Sequence, residues 1–343
     1  MSSSHPAPQS FVAVFVGATR GIGLATLKAL TRALPNPRFY IIGRSKARFA
    51  GELALLNEYN PNAAIQFVEA EVSLIKGIEG VCERIMNLEK HVDLLFMSPG
   101  SLAFGGPHCK TPVLWSLCLL TYSTDTEEKL DLCFALSFYI RMRLIERLLP
   151  MLMQAPHPRV LSVLAGGHEG PLFTNNGDIG LRKKGSYTAP RAVNQVTTLH
   201  SLVFMYLASH YPKLSWLHVH PGWVATTFLS DLLQNAGIVG VLAGKIALPV
   251  YRFIAMSEEE CGRRQAEYAL SGRYPSRKMI CSAVVDVTDQ AACYGSCSGF
   301  YRVLSDGSTV TDGKVLGPME REGWPLKVFE HTQKVFGEIL SQK

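Results

Sequence analysis

The apolar run Phe11–Val16 ends in Gly17-Ala18-Thr19-Arg20-Gly21-Ile22-Gly23, and helical spacing takes over across Ile22–Leu34. Glycine lets a backbone turn tightly and approach a pyrophosphate, and the N-terminus of the helix that follows favours its negative charge. A glycine triad alone says little, because turns are rich in glycine. Placed between a strand and a helix, it specifies a dinucleotide-binding β-α-β unit over residues 12–44.

The second strand of that unit closes with Tyr40-Ile41-Ile42-Gly43-Arg44-Ser45. An NAD binder carries a carboxylate here, about 20 residues past the last glycine, to hold the ribose hydroxyl. Arg44 stands there instead, and Arg20 lies inside the turn. A guanidinium offers forked donors to phosphate oxygens, so the pair predicts NADP(H) rather than NAD(H). Two arginines on a solvated surface are the plainer alternative.

Further strands are expected at Phe39–Ile42, Ile65–Val68, Val92–Met97, Val160–Leu164 and Leu214–Val219. Helical stretches at Leu130–Leu152 and about residues 192–210 separate the later ones, and Trp324–Leu340 reads as a closing amphipathic helix. Strands alternating with helices imply an α/β fold, a doubly wound parallel sheet with helices on both faces. No linker or repeat marks a second domain, so residues 1–343 are expected to form one Rossmann-type domain. Beyond residue 230 the alternation weakens, giving a lid region over 230–275 and a C-terminal extension over 276–343.

Hydrophobic residues make up 47% and charged residues 18%, enough apolar material for a large core and too little charge for a disordered chain. The net charge of +6 is scattered rather than clustered, which excludes a nucleic-acid partner. The eight cysteines form no CxxC pair, and Cys293 and Cys297 have no histidine or cysteine cluster to complete a metal set. Reduced thiols in a cytoplasmic enzyme are expected, and the first ten residues lack the positive charge of a signal peptide. Residues 236–256 are apolar apart from Lys245 and Arg252 and are broken by Pro249. They suit a hydrophobic lid, with a membrane-surface helix as the alternative and a true span least favoured.

With the glycine turn, Val92-Asp93-Leu94-Leu95-Phe96-Met97-Ser98-Pro99-Gly100, Tyr187 and the HPGWVATT stretch from His220 in view, the sequence resembles the short-chain dehydrogenase/reductase superfamily from the first strand to about residue 270. The FYIRMRLIERLLPML, RVLSVLAGGHEG and VFEHTQKVF stretches look like a branch common in filamentous fungi and linked to secondary metabolism. The resemblance implies a seven-stranded sheet and cofactor contacts at Gly17, Thr19, Arg20, Gly21, Ile22, Gly23, Arg44, Ser45, Glu71, Ser98, Gly100, Tyr187, Arg191, Pro221, Gly222 and Thr226. It also implies that Tyr187 is the catalytic tyrosine. The family's lysine four residues on is Arg191, on the same helix face and able to place a cation near the phenol.

Three departures accompany that match. The substrate-orienting serine of the family falls on Ala165, or on Val163 after a two-residue slip. Ser162 is close, but its odd offset points it to the opposite face of the strand. Ser137 replaces the family's asparagine, and Asn-Ala-Gly after the fourth strand is Ser98-Pro99-Gly100. His168 or Glu169 could take over the serine's work, although a plain polar loop is the simpler reading of both. The function expected is an NADPH-dependent reductase, or the reverse dehydrogenase, of an apolar small molecule. A non-redox isomerase, cyclase or dehydratase and a non-catalytic NADP(H) sensor stand as alternatives. A homo-oligomer is compatible with the family.

Overall fold

In the computed structural model, residues 10–100, 125–174, 177–183, 186–226, 251, 255–282 and 298–342 are described. Seven parallel strands form one sheet in the order β3-β2-β1-β4-β5-β6-β7: β1 Val12–Val16, β2 Arg38–Gly43, β3 Ala64–Glu69, β4 Leu94–Met97, β5 Arg159–Val163, β6 Ser215–Val219 and β7 Phe300–Val303. The strand order reverses direction between β1 and β4, which places the ligand crevice of such a sheet at the carboxyl ends of these two strands.

Central parallel strands are covered on both faces, and β1 is accordingly buried at all five positions. Its alternate side chains enter different cores. Val12, Val14 and Val16 pack with α3 (Ile75–Leu88), α5 (Ile140–Leu152), α6 (Ala189–His210) and α10 (Trp324–Ser341). Ala13 and Phe15 pack with α1 (Gly21–Ala33), α2 (Lys46–Tyr59) and α7 (Glu258–Leu270). The remaining helices are short: α4 Leu132–Phe134, α8 Arg277–Cys281 and α9 Leu316–Arg321.

Several expectations change. The helix expected over Leu130–Leu152 starts at α4, runs through a π-helical turn at Ala135–Tyr139 and continues as α5. Ser137 lies in that turn, buried. Helix α6 begins at Ala189, capped by Thr188 and opened by Pro190 in its first turn, which suits proline. Residues 276–343 are no appendage: β7 is a sheet strand whose Phe300–Val303 pair with Trp216–Val219 of β6. Its four residues are too few to announce a strand by period alone.

Much of the expected lid, residues 227–250 and 252–254, lies outside the described residues, as do residues 101–124. The α7 part of the lid region packs on α1. It lies along α1 so closely that a Cβ on Gly262 would come within 2.6 Å of the Ala25 side chain. Among the described residues no helix is long and apolar enough to cross a membrane, and no cluster of three potential metal ligands occurs.

Candidate active site

The glycine turn closes on the end of β4. Gly17 has a φ of +80°, and a Cβ there would lie 2.5 Å from the Ser98 carbonyl carbon. A Cβ on Gly23 would lie 2.6 Å from the Ser98 Oγ. Ser98 in turn donates to the Gly17 carbonyl at 3.1 Å, so it straps the turn to β4. Gly21, with a φ of +60°, faces open space where the nearest atom to an added Cβ would be the Thr226 methyl at 3.7 Å. No side chain caps α1 and its first turn holds no acid, which leaves the amides around Ile22 for an anion. Gly17 and Gly23 thus let the turn close on β4 while Gly21 leaves a cradle open in front of α1, and the arrangement fits a dinucleotide.

A Cβ on Gly43 would meet the Thr19 methyl at 2.8 Å, so the turn and the end of β2 touch. The next residues along each segment, Arg20 and Arg44, are both exposed at that corner. Ser45 caps α2 by accepting from the Arg48 amide at 3.3 Å. Glu71 accepts from the amide and hydroxyl of Ser73 at 3.1 and 2.8 Å, which shapes the bend before α3. Gly100 is exposed. Beyond β6, Gly222 has a φ of +78°, and the turn with Pro221 packs on Ser305 after β7.

The other end of the cleft departs from expectation. The shared helix face expected of Tyr187 and Arg191 does not form, because Tyr187 precedes the Thr188 cap and only Arg191 lies in α6. The Arg191 guanidinium lies over the Phe173 ring at 4.3 Å and donates to the Ser186 carbonyl at 3.2 Å. The charge that acts on the Tyr187 hydroxyl is that of Asp131 instead. Burial pushes the phenol's pKa up, and Asp131 and Cys133 add to the rise through charge and Asp131 through hydrogen bonding. The expected stabilisation of phenolate by Arg191 has no counterpart here, since the guanidinium is engaged with Phe173 and Ser186. Asp131 is 2% exposed, caps Phe134 through Oδ1 at 3.1 Å, and keeps a buried Oδ2 without a partner of ordinary bonding length. Burial raises its carboxyl to about 6.

Ala165, His168, Ala189, Pro190, Val193, Asn194 and Thr197 line a cavity of about 390 Å³ between the exit of β5 and the first turns of α6. Ala165 thus lines this cavity. Ser162 faces the other way, fully buried, and accepts from Arg141 Nη1 at 2.6 Å. The Glu169 carboxylate is also interior. It accepts from Ser201 at 2.6 Å and from Arg302 at 3.1 Å, while the Ser201 hydroxyl meets His218 Nδ1 at 2.7 Å. Burial lowers His218 to about 3, so that ring is neutral and Arg302 is the counter-charge. Although this trio has the composition of a hydrolytic triad, its side chains are fully enclosed and it ties the loop after β5 to β6, β7 and α6.

Two residues of weight were missed in the sequence. Asp131 precedes a helix as an ordinary cap does, which disguises it. Arg141 is fully buried and donates to Ser162, to the Val163 carbonyl at 2.8 Å and to the Pro99 carbonyl, joining the ends of β4 and β5. Its signal was available: it occupies the apolar stripe Phe134, Phe138, Arg141, Ile145, Leu148.

No protein-family model matches the chain. Oxidoreductase AN1596 of Emericella nidulans is 30% identical over 335 residues, 96% of this chain and 94% of the relative. Oxidoreductase andH of Emericella variicolor is 31% identical over 99% of this chain and 94% of its own length. The short-chain dehydrogenase/reductase SAT2 of Stachybotrys chartarum is 28% identical over 78% of this chain and 74% of its own. Among solved structures, the KRED1-Pglu enzyme aligns with a TM-score of 0.53 at 19% identity, over 77% of this chain and 96% of that one. The Pseudomonas aeruginosa RhlG/NADP complex aligns at 0.51 and 19%, over 77% and 92%. These structures share the fold; AN1596 and andH, at 30% and 31% identity across nearly the whole length, are oxidoreductases, and SAT2 is a short-chain dehydrogenase/reductase. The chain belongs to the short-chain dehydrogenase/reductase superfamily.

Proposed function

We propose that this protein is an NADP(H)-dependent oxidoreductase that reduces a carbonyl, or oxidises the matching alcohol, on an apolar small molecule of secondary metabolism. The observation that carries the reading is the cradle of Gly17, Gly21 and Gly23 before an uncapped helix, with Arg20 and Arg44 exposed at its rim. The RhlG/NADP structure and the fungal oxidoreductases support it. Bound there, the reduced nicotinamide supplies hydride. The chain's own residues hold the pyrophosphate on backbone amides, place the 2′-phosphate against guanidinium groups and shape the apolar pocket beside Ala165. Tyr187 holds the place of the family's proton donor. Titration should show NADPH binding at least tenfold tighter than NADH, and Tyr187→Phe should abolish NADPH-dependent turnover while leaving NADPH binding intact. Equal binding of the two cofactors would remove the phosphate assignment; an unchanged rate would remove the tyrosine.

One observation favours a second reading, non-redox chemistry on the same fold. Neither Tyr187 nor Arg191 is among the described residues of the cavity wall. Product formation with no change in NADPH absorbance would select it.

A further inference from the structure

His168 stands apart from the other polar groups around the cavity. Three polar side chains reach the described wall. Asn194 already donates to the Pro171 carbonyl at 2.8 Å, and Thr197 donates to the Val193 carbonyl at 2.8 Å. The ring nitrogens of His168 make no hydrogen bond among the described residues, and the residue is exposed to the cavity. Its orientation is nevertheless set: the ring packs edge-on against His220, centroids 4.2 Å apart, at the residue that leads into the Pro221-Gly222 turn. Burial and then the neighbouring His168 lower His220 to about 4, so the supporting ring is neutral.

The apolar part of the same wall begins at Ala165, where the family's serine would hold the substrate oxygen. The backbone there is rigid, since a Cβ on Gly166 would collide with the His218 carbonyl and the Ala165 amide points to His218 Nε2 at 3.4 Å. The sequence offers His168 and Glu169 as replacements for the missing hydroxyl. Glu169 is enclosed with Ser201 and Arg302 and turned from the cavity. That leaves the His168 ring, with no hydrogen bond among the described residues, on the cavity wall three residues from the vacant position.

We propose that His168 performs the serine's task, donating a ring N–H hydrogen bond to the reacting oxygen of a carbonyl substrate seated in the Ala165–His168–Thr197 cavity. The assignment rests on the reductase reading above. A neutral imidazole suffices, because the task is to hold and polarise the oxygen rather than to protonate it. Removing one such donor from an enzyme typically costs on the order of 10²–10³-fold in rate.

The test uses the full chain with NADPH and 1-decalone, 1-tetralone and 2-alkanones as probe ketones. His168→Ala should lower kcat/KM on the order of 10²-fold, mostly in kcat, with the NADPH Kd and the melting temperature unchanged. His168→Gln, which keeps a donor, should recover about tenfold of that loss. The sharpest arm restores the family residue: Ala165→Ser added to His168→Ala should regain activity, which a merely structural histidine would not allow. His168→Ala within threefold of the parent rate overturns the assignment and leaves the reductase reading standing. NADPH binding without oxidation by any ketone overturns both.

Discussion

At the β1–β4 end of the cleft the recognition elements are backbone: glycines that admit it, amides that face an anion, and a serine strapping turn to strand. At the β5–α6 end they are side chains whose directions depend on what each happens to touch. Tyr187 follows Asp131, Arg191 follows Phe173, and His168 follows His220. A backbone site is written in the few residues its geometry tolerates. A side-chain site is written in the whole neighbourhood, so a matching residue need not imply a matching contact.

The contrast is broken most directly by one methyl group. Gly17→Ala must overcome both a φ of +80° and overlap with the Ser98–Pro99 peptide. It should cost about 2–4 kcal/mol of stability and eliminate NADPH binding, both readable by thermal melts with and without cofactor. Retained binding would mean that the turn yields, and that the cradle is no more exacting than the catalytic end. Arg141→Met asks whether the two ends are mechanically joined. It strips donors from Ser162 and from the Val163 and Pro99 carbonyls, and should destabilise the fold by about 3 kcal/mol. NADPH affinity should fall as well, because Pro99 backs Gly17; a loss of stability alone would show that the ends act separately.

This contrast also explains what could be read before the fold was known. Gly17, Gly21 and Gly23 were legible because a strand–glycine–helix order has few physical uses, and the buried runs of β1 and β4 were legible as strands covered on both faces. The partner of Tyr187 was not legible. Asp131 lies 56 positions away in sequence, and no periodicity links α4 to the start of α6. Four-residue β7 gave too short a pattern, and it ended up inside what read as an extension. Glu169 looked available because sequence shows adjacency to a strand end but not whether Arg302 has already claimed the oxygen.

At the side-chain end, Asp131 can be interrogated by pH. Its folded pKa, raised by burial to about 6, exceeds that of the unfolded chain, so the native state holds its proton longer. Stability from this group is complete below about pH 4 and is lost as pH rises through 6. Asp131→Asn keeps a capping oxygen while removing the charge. The variant's advantage over the parent in urea melts should therefore grow from pH 4 to pH 7, reaching roughly 2–3 kcal/mol. A difference independent of pH would mean that Asp131 titrates as it does in the unfolded chain, with Arg182, which tempers the shift from its ion pair with Asp125, compensating burial fully. That result would also change the account of Tyr187, since its raised pKa depends in part on the aspartate's charge.

The smallest effect tests the one place where the cofactor end relies on side chains. Arg44 is exposed and makes no hydrogen bond or ion pair among the described residues, so its removal should leave the melting temperature unchanged. If it faces a 2′-phosphate, Arg44→Ala should weaken NADPH about tenfold and NADH hardly at all, because a charge-assisted bond to phosphate is lost in one case only. Equal weakening of both would place Arg44 on the adenosine rather than on the phosphate. No weakening of either would leave Arg20 to account for the preference. In that event even this end of the cleft would repeat the lesson of Arg191, a cation of the right type in the right place engaged elsewhere.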